Sequence, residues 1–245
     1  MIKYLLIVIY LLTDVIPAQY PSGEDILKKV DENMTSDTEI IMSTMVIHGR
    51  RGSRSVTAKS WIQGRDKSFS EYLAPPREKG TKMLKLEDRL WVYSPQTDRT
   101  IKIAGHMLRQ SLMGSDLSYE DMMESPHLAD LYTATVIGEE LVNDRNCWVV
   151  KLIARKDDVT YHSRKIWVDR ERMIILKEDL FAKSGKLLKT TVIKEVFQVD
   201  GRWYPKVLIF KDMLQKGKGT EFIIESIEFD VDIPEYIFSK ASLRK

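Results

Sequence analysis

The feature that most limits the fold is a succession of strand-length segments that are apolar on both faces. In "RLWVY", Leu90 and Val92 oppose Trp91 and Tyr93. In Asn146–Ala154, Trp148, Val150 and Leu152 oppose Cys147, Val149 and Ile153. Side chains alternate across a strand, so a sheet wet on one side would alternate apolar with polar. Here each face needs a cover. One cover can be a partner wall or a helix. The other can be a cavity lined for an apolar ligand or a filled core, and the strand pattern alone favours the filled core.

Strand character runs through Glu39–His48, Ser53–Gln63, Ser68–Ala74, Met83–Leu86, Arg89–Ser94 and Thr100–Ile103. It resumes in Thr133–Val142, Asn146–Ala154, Ser163–Val168, Met173–Phe181, Leu188–Val199, Tyr204–Phe210 and Glu221–Phe229. Many joints are polar or carry glycine ("GRRGS", "QGRDK", "LEDR", "PQTDR"), which suits hairpins between neighbours. Several segments exceed the usual strand of about 5–6 residues. Long hairpin-linked strands predict an antiparallel barrel or strongly curved sheet, and 245 residues are ordinary for one such domain. No repeat of solenoid or propeller length is present.

Two stretches read as helical. In "PSGEDILKKVDENM", Ser22 can cap and Ile26, Leu27 and Val30 form an apolar face. The second is an insert between strands, "HMLRQSLMGSDLSYEDMMESPHLADL". Met107, Leu108, Leu112 and Met113 make a stripe, Gly114 breaks it, and Ser115, Asp116 or Ser118 can cap a second short helix carrying Tyr119, Met122 and Met123. Such a pair predicts a lid on an open sheet, because methionine repacks readily against a ligand of variable shape. The alternative is that these methionines plug the core. Glu120 and Glu124, four apart, read as a solvated helix face.

The N-terminal "MIKYLLIVIYLLTDVIPAQ" reads as a secretory signal peptide over residues 1–18, with one lysine, a short apolar run and cleavage after Ala18. That leaves 19–245 as a single domain; the alternative is a retained anchor. No cysteine follows the run, and the single Cys147 sits in a strand pattern as a small buried hydrophobe. The +2 charge comes from 38 basic and 36 acidic residues mixed along the chain, so no nucleic-acid footprint exists. His48, His106, His127 and His162 are scattered without metal spacing. No Gly-x-Ser-x-Gly elbow, dinucleotide fingerprint or phosphate loop is present. Non-covalent binding, with no enzymatic activity, cofactor or metal, is therefore the expectation.

The run "KMLKLEDRLWVYSPQTDRTIKIAGHMLRQSLMGSDLSYEDM", Lys82 to Met122, resembles the outer-membrane lipoprotein-sorting (LolA-like) family. So do the first helix "ILKKVDENM", the strands at "MVIHG" and "SWIQG", and the closing "IPEYIFSKASL". The resemblance implies a mainly β fold, an unclosed antiparallel β-barrel with a few short α-helices over its open mouth. It implies a monomeric periplasmic carrier of the acyl chains of lipoproteins or lipids, served by an inner-membrane donor transporter and an outer-membrane acceptor. Trp61, Trp91, Tyr93, Met107, Leu112 and Met113 are expected to face one apolar cavity, with Met122 near its rim. Arg65, in the turn after "SWIQG", is the candidate for a basic residue that latches the lid. The second reading is an envelope sensor that binds lipid or protein in the same barrel and signals to an inner-membrane partner. A lipid-cleaving enzyme is disfavoured by the missing triad.

Overall fold

The computed structural model describes residues 20–49, 52–124 and 127–244; the signal peptide expected over residues 1–18 lies outside them. Six strands precede the insert: β1 (Thr38–Gly49), β2 (Gly52–Gln63), β3 (Lys67–Ala74), β4 (Lys82–Leu86), β5 (Arg89–Ser94) and β6 (Arg99–Ile103). Seven follow it: β7 (Tyr132–Val142), β8 (Arg145–Ala154), β9 (Ser163–Asp169), β10 (Ile175–Phe181), β11 (Leu187–Val199), β12 (Arg202–Asp212) and β13 (Thr220–Phe229). All lie in one antiparallel sheet, in the order 6-5-4-3-2-1-13-12-11-10-9-8-7. The chain enters at the middle, steps outward to β6 at one edge, crosses to β7 at the other, and steps back until β13 pairs with β1. The edges β6 and β7 do not pair, so the barrel is unclosed. The insert is the one connection that must cross from edge to edge.

The sheet is strongly curled. Lys85 on β4 donates to the Met123 carbonyl (3.2 Å), and Arg164 on β9 pairs with Glu124, the next residue. Strands β4 and β9 are eight steps apart in the sheet order. Laid flat, they would be about 38 Å apart. Adjacent Cα atoms are separated by about 3.8 Å. Only a sheet rolled toward itself brings both strands to one dipeptide.

Helix α1 (Gly23–Met34) forms as the sequence predicts: the Ser22 hydroxyl accepts from the Asp25 N–H (3.3 Å), and Glu24 and Asp25 favour the first turn. Ile26, Leu27 and Val30 are buried against Val136, Val150, Leu152, Ile166 and Val168 on the inner face of β7–β9. Each such side chain contributes about 1.5–3 kcal/mol, far more than helix propensity supplies. The helix start also guards an open edge. A Cβ on Gly23 would lie 2.6 Å from the Ala134 oxygen, and Glu24 accepts from the otherwise free Ala134 N–H of β7 (3.0 Å).

Over β1–β5 both faces of the sheet are covered, as their two-sided apolar pattern requires, whereas Ile137, Leu141 and Ile153 on β7 and β8 stay exposed. On the outer face the register aligns Ile40, Trp61, Phe69, Leu84 and Trp91 across β1–β5. The C-terminal segment lays Ile233, Phe238 and Leu243 over that row. On the inner face Met45, Val56, Tyr72, Met83 and Leu90 pack against Leu112 and Leu117 of the insert.

The insert is not the predicted pair of amphipathic helices. It comprises 3₁₀ turns at Gly105–Arg109, Leu112–Gly114 and Asp121–Met123, then the one-turn helix α2 (Leu128–Leu131). Met113 (φ 50°) and Gly114 (φ 70°) are both left-handed and reverse the chain, so that Ser111 bridges Ser118 and the Leu112 N–H reaches the Leu117 carbonyl (2.7 Å). The hydroxyls of Ser111 and Ser115 bond neighbouring backbone atoms, and Ser118 bonds Asp121 (2.8 Å). These local bonds compete with helix for the same groups.

Candidate functional site

A cavity of about 390 Å³ lies within the curl, a size in the usual range for small-ligand sites. One wall is the inner face of β1–β4; the other comes from β9, β10 and β12, and α1 with the end of the insert closes over them. Ile41, Ile62, Met122, Leu128 and Ile175 give it apolar surface. Ser60, Ser68 and Ser70, with Glu39, Lys85 and Arg164, make part of the lining polar. The register explains the grouping, since Glu39, Ile62, Ser68 and Lys85 form one inward row across β1–β4.

The insert is fastened over this space by its acids. Asp116 accepts from the Asp212 N–H (2.9 Å) and from Lys211 (3.3 Å). Asp121 pairs with Lys189 and accepts from the Tyr161 hydroxyl (2.5 Å). Glu124 pairs with Arg164, and Asp130 with Arg65 (2.7 Å). Asp31 of α1 completes the fastening by accepting from the Leu128 and Ala129 N–H groups.

Burial sets the electrostatics. Arg164 is buried between the rings of Tyr132 (4.8 Å) and Tyr161 (5.5 Å) and also pairs with Glu178 (2.9 Å). Burial opposes its charge, but Glu178 and Glu124 more than offset that and hold it protonated. Burial pushes the Glu39 carboxyl up to about 7, against a hydrogen bond from the Ser36 backbone and the nearby Arg202. Burial also raises Asp31, and it lowers Lys85 although Asp66 and Glu124 act the other way. The Cys147 thiol is buried and pushed up to about 11 by desolvation, which suits an inert packing residue. No group of three or more metal-ligating side chains occurs among the described residues.

The residues singled out in the sequence do not meet in one place. Met107, Leu112 and Met113 pack together on the inner face, in the cluster built on Met45, Tyr72 and Met83. Trp61, Trp91 and Tyr93 lie on the outer face beneath the C-terminal segment. The grouping of all six around one cavity is thus corrected. The reason is strand parity: Trp61 and Trp91 belong to the outer row, whereas their neighbours Ile62 and Leu90 point inward. Met122 does line the cavity, and so does Arg65, which reaches the insert through Asp130. Glu124 is another correction. Its side chain is largely buried on Arg164 rather than solvated.

Sequence reasoning missed Lys85, Arg164, Glu39 and the serines of the wall. One signal was available: in "KMLKL" the two lysines are three apart, so on a strand they take opposite faces and one must point inward.

Known proteins share this architecture. A family model described as "-like: Uncharacterized protein" matches residues 64–245. No curated protein matches the chain. A DUF1329 family protein from Desulfovibrio piger superposes with a TM-score of 0.82 at 23% identity, over 90% of this chain and 97% of its own. A domain from Vibrio parahaemolyticus, provisionally assigned as an outer membrane lipoprotein-sorting protein, gives 0.79 at 21% identity over 91% and 98%. A LolA superfamily protein from Nitrosomonas europaea gives 0.74 at 21% identity over 91% and 100%. The chain belongs to the family of the model that matches residues 64–245, and its fold is that of the LolA-like lipoprotein-sorting proteins.

Proposed function

We propose that this protein is a non-catalytic periplasmic carrier that takes acyl chains of lipoproteins or lipids into the cavity of its curled sheet and moves them toward the outer membrane. The observation that carries this reading is the way the cavity is closed. Its walls are sheet, but its cover is α1 and a strap held by side-chain bonds. A strap of that kind can separate from the sheet without breaking a strand ladder. The energetics fit a carrier. Exposed acyl chain costs about 0.8 kcal/mol per CH₂, so a long chain in water costs on the order of 10 kcal/mol. The apolar part of the lining offsets some of that, while the self-packing of the empty cover competes with cargo and keeps release feasible.

The fold of the lipoprotein-sorting neighbours supports the cargo class, and the apolar N-terminal run supports export to the periplasm; an inner-membrane donor and an outer-membrane acceptor are part of the proposal. Among the described residues no helix is long and apolar enough to cross a membrane. Native mass spectrometry of protein gently released from the periplasm tests the reading. The expected result is a mature chain starting after Ala18 with an acylated adduct. A bare protein that takes up no acyl lipid on incubation would contradict it.

A further inference from the structure

The cations of the cavity wall are not equivalent. Arg65 pairs with Asp130, Lys67 with Glu235, and Arg164 with both Glu124 and Glu178. Lys85 has no carboxylate in ion-pair contact among the described residues, although it is only 8% exposed. Its ammonium has three donors, and the Met123 carbonyl takes one. Around it the wall is polar, and the carboxylates of Asp66 and Glu124 act on it without reaching ion-pair contact. Ser68 is its cross-strand neighbour, and Ser60 and Ser70 bond each other beside it (2.8 Å). A buried ammonium without a carboxylate in direct contact is costly, and an anion that reaches it recovers part of that cost. An acyl chain alone has no use for it.

We propose that Lys85 is the counter-ion for the head group of the cargo, so that this cavity selects amphiphiles bearing a carboxylate or phosphate over neutral ones of the same chain length. This rests on the acyl-carrier reading and narrows its substrate class. The apolar surface of Ile41, Ile62 and Ile175 takes the chain, and Lys85 with the Ser68 hydroxyl takes the anionic oxygens. Bringing an anion to Lys85 also sets it near Glu124, which raises the Lys85 pKa by its proximity. Repulsion between that anion and Glu124 loosens the strap at its pairing with Arg164, which couples head-group binding to opening of the cover.

The test uses the full mature chain and displacement of a fluorescent long-chain acyl probe. The competitors are palmitate, monopalmitoyl glycerol phosphate and the neutral monopalmitoyl glycerol. Wild-type protein is expected to prefer each anion over the neutral ester by roughly tenfold or more, the size of a hydrogen-bonded charge contact. Lys85→Met should erase that preference while retaining affinity for the neutral ester, and Lys85→Arg should keep it. Preference for palmitate alone would assign the anion to free fatty acid, and preference for the phosphate alone would assign it to phospholipid. Equal binding of all three competitors by wild-type protein, or an unchanged preference in Lys85→Met, would overturn the proposal and leave the acyl-carrier reading standing. Failure of every competitor and of the probe to bind would overturn both.

Discussion

Asp31 of α1 accepts hydrogen bonds from the backbone N–H groups of Leu128 (3.1 Å) and Ala129 (2.8 Å), ninety-odd residues along the chain. The first helix thereby fixes the far end of the insert. The pairing of Arg65 with Asp130 lies next to it but is half exposed on both sides. Magnitudes separate the two. Loss of a buried carboxylate acceptor costs about 1–3 kcal/mol, whereas an exposed pair is worth about 0–1 kcal/mol. Asp31→Ala is expected to lower the unfolding free energy by about 1–3 kcal/mol and Arg65→Ala by less than about 1 kcal/mol. Urea unfolding of the two variants measures this. Equal losses would show that Arg65 is as strong a latch as Asp31.

A second prediction concerns Arg164, whose guanidinium joins β9, β10 and the insert through Glu178 and Glu124. Arg164→Met leaves two largely buried carboxylates without their cation and should cost about 3–5 kcal/mol. Adding Glu124→Gln and Glu178→Gln to that variant should restore part of the loss, because neutral amides tolerate the site better than unpaired charges. A double-mutant cycle by chemical denaturation checks it; strictly additive losses would show that the charges do not communicate.

Glu39 gives a pH signature. Its carboxyl is raised from 4.5 to about 7 in the folded protein, so the folded state holds the proton more tightly than the unfolded chain. The stabilising contribution is complete below the unfolded value of 4.5 and is lost as pH rises through about 7. Over that window the loss amounts to about 3 kcal/mol. Glu39→Gln cannot ionise, so it should match wild type near pH 4.5 and exceed its stability at pH 8. Denaturation curves for both proteins at the two pH values give the difference. A gap that does not widen with pH would place the Glu39 titration elsewhere.

The strands were legible in the sequence because their apolar pairs and turn-rich joints recur at every hairpin, and each observed strand begins or ends within about two residues of its predicted limit. Helix α1 was legible through its cap and its apolar face. The insert was harder, because its helix-like spacing of Met107, Leu112 and Met113 competes with serine and aspartate side chains that bond the backbone locally. Parity decided the site. Trp61 and Ile62 are adjacent, and nothing in "SWIQG" says which faces the cavity; the register with Glu39 and Lys85 does. The ion pairs of the insert join residues forty or more positions apart, as in Arg164 with Glu124 and Lys189 with Asp121, and no local spacing encodes them.

The central claim is that acyl chain occupies the space between the two halves of the curled sheet. It is tested most directly with a long-chain fatty acid carrying a photoreactive diazirine near its methyl end, cross-linked in solution and mapped to single residues by mass spectrometry. Adducts are expected on Ile41, Ile62, Ile175 or Met122, which line that space from both walls and its cover. Adducts confined to the outer face around Trp91 and Phe238, or an absence of adducts at saturating ligand, would contradict it.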